Sequence, residues 1–142
     1  MPSRKAEAEW KGNLIQGSGR LAVGSGAFDG PYSFKSRMED GQSATNPEEL
    51  IGAAHAGCFT MALSLILGEA RLTAEHMGTK AEVTLDKVAD GFAITAVHLT
   101  LTAKIPGADR AKFEELAAKA KAGCPVSKLL NTKITLDAAL AS

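Results

Sequence analysis

Residues 46–71 read NPEELIGAAHAGCFTMALSLILGEAR, and this stretch decides the fold. Asn46 is placed to cap a helix, Pro47 suits its first position because a missing N–H costs nothing there, and Glu49 follows three residues after the cap. No charge falls between Leu50 and Leu67; the strongly polar residues there are His55, Thr60 and Ser64. At ~100° per residue, Ile51, Ala54, Ala62 and Leu65 lie within about 40° of Cys58, while Leu63 and Leu67 lie on the far side. A helix apolar on both sides is wrapped by other structure, in its own chain or in a partner. The run approaches transmembrane length, but Gly52, Gly57, His55 and the alanine-rich composition favour a core helix. Cys58, near its middle, is therefore expected to be shielded from bulk water. Two readings of it stand: an inert apolar filler, or a poised nucleophile.

The 142 residues around this helix fit one domain spanning 1–142, long enough to bury roughly 70% of the unfolded surface. Sixteen basic and sixteen acidic residues cancel and are scattered, so no basic stripe points to nucleic acid or to an anionic membrane. The opening MPSRKAEAEW has no apolar core of a secretory signal, and a cytoplasmic protein is expected. Two cysteines do not make a disulfide scaffold, and their separation matches no metal-knuckle spacing. A transient catalytic disulfide and two inert thiols remain open.

Lys5 to Trp10 alternates as an opening strand, with Lys11-Gly12-Asn13 as its turn. Leu14 to Val23 is expected as a second strand, in which Gly17 and Gly19 mark a bulge or a close backbone approach. Gly24 to Gly30 is a turn. Tyr32, Phe34, Ser36 and Met38 then share one face of a third strand, leaving Lys35 and Arg37 on the other. After Arg71 a polar connector holds His76 and Gly78. Thr79 to Val88 and Phe92 to Lys104 form a hairpin about Asp90-Gly91. The apolar phase of the second strand changes between Ile94 and Val97, which predicts a bulge near Thr95 or Ala96. Asp109 caps a helix burying Phe113, Leu116, Ala117 and Ala120, ended by Gly123. Pro125 starts a short helix through Leu130, and Thr132 to Leu140 alternates as a closing strand. The order βββαββααβ is an α+β arrangement, with the long central helix packed on antiparallel sheets.

A buried thiol is inert unless something stabilises its anion, and a guanidinium does this best because it stays charged. Arg37, on the strand face opposite the aromatic stripe, is either that partner or a solvated strand arginine. Glu48, in the first helical turn, either orients Arg37 or simply complements the helix dipole. Should all three converge, Glu48 would hold Arg37, and Arg37 would hold the thiolate and an incoming peroxide. Cys124 precedes a proline-started helix whose free amides favour a thiolate, and sits at a break that moves easily, as a resolving cysteine needs. An inert Cys124 is the equal alternative. Zinc is disfavoured: with His55, His76 and His98 beside the two thiols, His55 to Cys58 is the only local pair. His55 reads more readily as a satisfied core histidine than as a base.

The segments NPEELIGAAHAGCFTMALSLILGEA and KAGCPVSKLLN resemble the osmotically inducible protein C / organic hydroperoxide resistance (OsmC/Ohr) family, in its OsmC branch. The likeness runs from AEWKGNL through TLDKV and GFAIT to ITLDAAL. It implies an OsmC-like fold, a tightly intertwined homodimer with its sites at the interface, and a thiol-dependent peroxidase reducing organic hydroperoxides to alcohols. It also implies that Cys58 is the peroxidatic and Cys124 the resolving cysteine, with Arg37 and Glu48 as the associated ion pair; the sister branch takes its arginine earlier, where Arg20 is the nearest candidate. Cys58 would become a sulfenic acid and then a disulfide with Cys124, reopened by a dithiol such as a dihydrolipoyl protein, with no flavin, haem or metal. Ile51, Ala54, His55, Met61, Ala62 and Leu65 would line the pocket for a bulky peroxide. Two rivals to this reading are a general thiol–disulfide exchanger and a non-enzymatic dimer that binds hydrophobic ligands.

Overall fold

The computed structural model describes residues 1–141, which form β1 (Ala6–Lys11), β2 (Ser18–Val23), β3 (Asp29–Tyr32), α1 (Phe34–Met38), α2 (Pro47–Glu69), β4 (His76–Val88), β5 (Gly91–Lys104), α3 (Arg110–Gly123), α4 (Pro125–Leu129) and β6 (Lys133–Ala141). They fall into two compact units, one covering Met1–Leu50 and the other starting at Ile51. Apart from one added short helix, the order is the α+β order expected.

In the first unit β1, β2 and β3 form an antiparallel meander. Gly19 is the close approach anticipated: a Cβ there would lie 2.4 Å from Tyr32 Cε1 and 2.7 Å from both Glu9 O and Trp10 Cε3. Trp10 and Tyr32 close over it edge to face, with centroids 5.4 Å apart. Leu14 to Gly17 is turn rather than strand, because Gly17 N–H donates to Asn13 O and Gln16 N–H to Asn13 Oδ1. Asp29-Gly30, expected in the turn, already pairs with β2.

The largest departure lies at Phe34–Met38, expected as strand and found as the one-turn helix α1. Ser33 accepts from Ser36 N–H at 3.0 Å and Ser36 Oγ accepts from Ser33 N–H at 2.9 Å, a capping box with serine in both roles. The period-two aromatic pattern concealed it. Asn46 caps α2 as expected, its Oδ1 accepting from Glu49 N–H at 2.7 Å.

In the second unit β4, β5 and β6 form one sheet. His76 and Gly78 belong to β4 rather than to a connector, and Ala89-Asp90 join Val88 to its partner Gly91. Thr84 faces Ala96 and Leu85 faces Ile94, so Thr95 is the bulged residue the phase change predicts. β6 pairs with β5 in parallel, which corrects the all-antiparallel expectation. Direction explains it: α3 and α4 carry the chain back along the sheet, the crossover that parallel strands require. Val97, Leu99 and Leu101 of β5, Phe59, Leu63 and Leu67 of α2, and Phe113, Leu116, Ala117 and Ala120 of α3 form the buried core with Cys124. Full burial of each large apolar side chain contributes about 1.5–3 kcal/mol. Although α2 is long and apolar enough to cross a membrane, this stripe makes it a core helix. Its opposite side is open: Met61 is 75% and Leu65 67% exposed.

Candidate active site

Cys58 sits midway along α2, on the border between its buried and open sides. Cys124 lies at the junction of α3 and α4, with φ −58° and ψ 126°. That extended conformation follows from Pro125, whose ring excludes the helical region for the residue before it. Cys124 N–H still donates to Ala120 O at 2.9 Å and closes α3. Folding brings the two sulfurs, 66 positions apart, to 2.9 Å, both as free thiols. Cys124 is fully buried and Cys58 partly so.

The environments of the two thiols differ. Burial and the Cys124 thiol push Cys58 above its ordinary value, opposed by the Val126 N–H. Burial also acts against the Cys124 anion, but the Cys58 thiol, the Ser127 N–H and hydroxyl and the Val126 N–H outweigh it and hold Cys124 below its ordinary value. Burial was foreseeable; the donors of α4 were not.

His55, one turn before Cys58, is fully buried. Its Nε2 lies 2.8 Å from Ser127 Oγ, and its Nδ1 is buried without a partner among the described residues. Burial pushes its pKa down, so the ring is neutral near pH 7. Ser127 escaped the sequence reading, because only the folded chain brings its hydroxyl in α4 against His55 of α2. Of the other pocket candidates, Ile51 and Ala62 are half-buried, while Ala54, Met61 and Leu65 are exposed.

The first unit holds the charged pair. Arg37 of α1 donates from Nε to Glu48 Oε1 at 2.9 Å and from Nη2 to Oε2 at 2.8 Å, a bidentate fork on the first turn of α2. The Glu48 hydrogen bonds push the Arg37 pKa up, so its charge is permanent. Arg20, the earlier candidate, is held on the sheet by Asp29 and Glu9. Of the remaining histidines, His76 begins β4 and His98 bonds Thr135 and Asp137 across β5 and β6.

A long core helix over a mixed sheet, with one thiol on the helix and a second brought beside it by a proline break, defines a two-cysteine α+β protein. Residues 39–138 match the OsmC-like protein family, and the chain belongs to that family. It is 51% identical over 140 residues to the peroxiredoxin OsmC of Escherichia coli (strain K12), covering 98% of this chain and 97% of that protein. Among solved structures, OhrB of Bacillus subtilis, an organic hydroperoxide resistance protein, superposes with a TM-score of 0.69 at 27% identity, covering 96% of this chain and 98% of that one. An OsmC-like protein from Vibrio cholerae O1 biovar eltor shares the fold, with a TM-score of 0.79 at 18% identity, covering 97% of this chain and 99% of that one.

Proposed function

We propose that the protein is a thiol-based peroxidase that reduces organic hydroperoxides to alcohols through Cys58 and Cys124. One observation carries the reading: two free thiols from distant parts of the chain lie 2.9 Å apart, the partly open one beside an apolar helix face and the buried one behind it. The Cys58 thiolate attacks the distal oxygen of ROOH; the S–O bond forms, the O–O bond breaks, and RO⁻ leaves to take a proton as ROH. The Cys124 thiolate then attacks the Cys58 sulfenic sulfur, forming the disulfide and releasing hydroxide, which becomes water. An external dithiol, such as a dihydrolipoyl group on a cytoplasmic protein, restores both thiols by exchange.

Attack needs the negative charge on Cys58. The Arg37 guanidinium, oriented by Glu48, is assigned that task in the working site, together with stabilising the departing alkoxide. The open side of α2, with Ala54, Met61 and Leu65, suits the alkyl group of the substrate and a second copy of the chain. In this reading the two units act as one domain and the protein works as a homodimer. Replacing Cys58 with serine tests the assignment: reduction of tert-butyl hydroperoxide should be lost while fold and dimer persist. Retained turnover would overturn it.

A further inference from the structure

Arg37 is the residue through which the first unit serves the proposed peroxidase, yet the helix that carries it is a single turn. A helix of five residues does not hold itself in water, so α1 is placed by what ties it to its surroundings. Two ties run from Ser36, the residue before Arg37. The buried Ser36 donates from its hydroxyl to Thr45 O at 2.7 Å, and its carbonyl accepts from Asn46 Nδ2 at 3.0 Å. Thr45 is itself tied to β3, its N–H donating to Pro31 O at 3.0 Å. Asn46 thus makes two bonds at once: Oδ1 accepts from Glu49 N–H and caps α2, while Nδ2 holds α1. One neighbour is an N–H and the other a carbonyl, so a single orientation of the amide satisfies both. Of the residues that cap well, asparagine alone offers a separate donor beside its acceptor.

We propose that Asn46 is a positioning residue for Arg37: by fastening α1 to the start of α2, it sets where the guanidinium stands when Cys58 attacks a peroxide. The inference rests on the peroxidase reading and deepens it. Two cross-links lie side by side. Ser36 meets Asn46 and, one residue on, Arg37 meets Glu48, so both join α1 to the first turn of α2. The Arg37 side chain is 41% exposed, and water competes for its fork on that side. The Ser36 carbonyl belongs to the peptide unit that leads into Arg37, so the Asn46 bond holds the backbone from which the guanidinium hangs. Without that bond the guanidinium keeps its charge but is free to shift, and its pull on a thiolate weakens with distance. A displacement of about 1 Å in a positioned group is enough to slow a reaction.

Asn46→Ser keeps an oxygen to cap α2 and removes the amide donor without adding charge. Alkylation of Cys58 by iodoacetamide is followed against pH in the full-length protein carrying Cys124→Ser, and its oxidation by cumene hydroperoxide is timed in stopped flow. The pH midpoint should rise by about half a unit, and peroxide attack near neutral pH should slow about threefold. Ser36→Ala, which leaves the α2 cap untouched and frees α1 from Thr45, should move the midpoint the same way. In an Arg37→Met background, where no guanidinium remains to be placed, Asn46→Ser should add no further shift; a merely structural role for Asn46 would not distinguish the two backgrounds. A midpoint unmoved in Asn46→Ser while Arg37→Met moves it, or the same shift on adding Asn46→Ser to Arg37→Met, would overturn the proposal. A midpoint unmoved in Arg37→Met itself would sink the Arg37 reading beneath it, a separate and recognisable outcome.

Discussion

Replacing Arg37 with methionine separates the two roles open to the Arg37–Glu48 pair. The substitution removes both donors, at 2.9 and 2.8 Å, and leaves a carboxylate whose side chain is only 9% exposed without its cation. A hydrogen bond to a charged group contributes about 1.5–3 kcal/mol when shielded. The Arg37 side chain is 41% exposed, so water can re-enter on that side, which reduces the loss for the whole pair to ~2 kcal/mol. At ~3 °C per kcal/mol for a chain of this size, Tm should fall by about 6 °C. The proposed role in activating Cys58 makes a second, independent demand. An opposite charge within ~4–6 Å lowers a thiol pKa by about 1–3 units, so its loss should raise the pH midpoint for alkylation of Cys58 by at least about one unit. Peroxide attack at neutral pH should slow by about tenfold or more. The alkylation profile is measured with iodoacetamide in a Cys124→Ser background, and the Tm by calorimetry; reduction of the disulfide by a dithiol, measured with Cys124 present, should hardly change. A lower Tm with an unmoved alkylation midpoint would reduce Arg37 to a structural ion pair and refute its part in the chemistry. A Tm unchanged within about 1 °C would refute the energetic reasoning itself.

Three further outcomes follow from particular contacts. Cys124→Ser should trap Cys58 as a dimedone-reactive sulfenic acid after one equivalent of peroxide, and failure to trap it would remove the two-step mechanism. Gly19→Ala should destabilise the first unit by about 2 kcal/mol or more in urea titrations, because its Cβ would fall 2.7 Å from the Glu9 carbonyl as well as 2.4 Å from the Tyr32 ring; a change below about 0.5 kcal/mol would contradict the packing. His55 has its pKa depressed from an ordinary 6.5, so its stabilising contribution is complete above that value and drains away as pH falls below it. The urea midpoint should therefore decline between pH 6.5 and pH 5 in the natural protein and decline less in His55→Gln, and parallel curves would exclude His55 as the group responsible.

What the sequence disclosed was set by whether local chemistry alone fixed the answer. The Asp109 cap, the buried face of α3, the restraint of Pro125 on Cys124 and the bulge at Thr95 all follow from neighbouring residues, and all are found where expected. The segment Phe34–Met38 misled because two local signals compete there: a period-two aromatic pattern, and a Ser33–Ser36 cap lacking the usual glutamate. Strand direction is different in kind. Nothing within Lys133–Ala141 states that β6 runs parallel to β5, because the turn of the chain through α3 and α4 decides it. The same limit applied at the site. Both cysteines could be singled out as candidates, but only the folded chain brings them, from 66 positions apart, to 2.9 Å.

In the proposed cycle, that placement gives the two sulfurs different work. Cys58 lies on the border of the open side of α2, so a bulky peroxide meets it first, while Cys124 is sealed behind it and cannot be oxidised in its place. After the oxygen is transferred, the sulfurs must close from 2.9 Å to about 2.05 Å. A shift of this size needs side-chain rotation at the α3–α4 break and no unfolding of α2. Closure should then outrun a second oxidation of Cys58, whereas losing the Cys124 thiol should lengthen the life of the sulfenic acid. Titrating the natural protein and Cys124→Ser with excess cumene hydroperoxide should yield more Cys58 sulfinic acid in the variant, which has no second thiol to close on. Equal sulfinic yields would mean that the second sulfur, although only 2.9 Å away, does not protect Cys58.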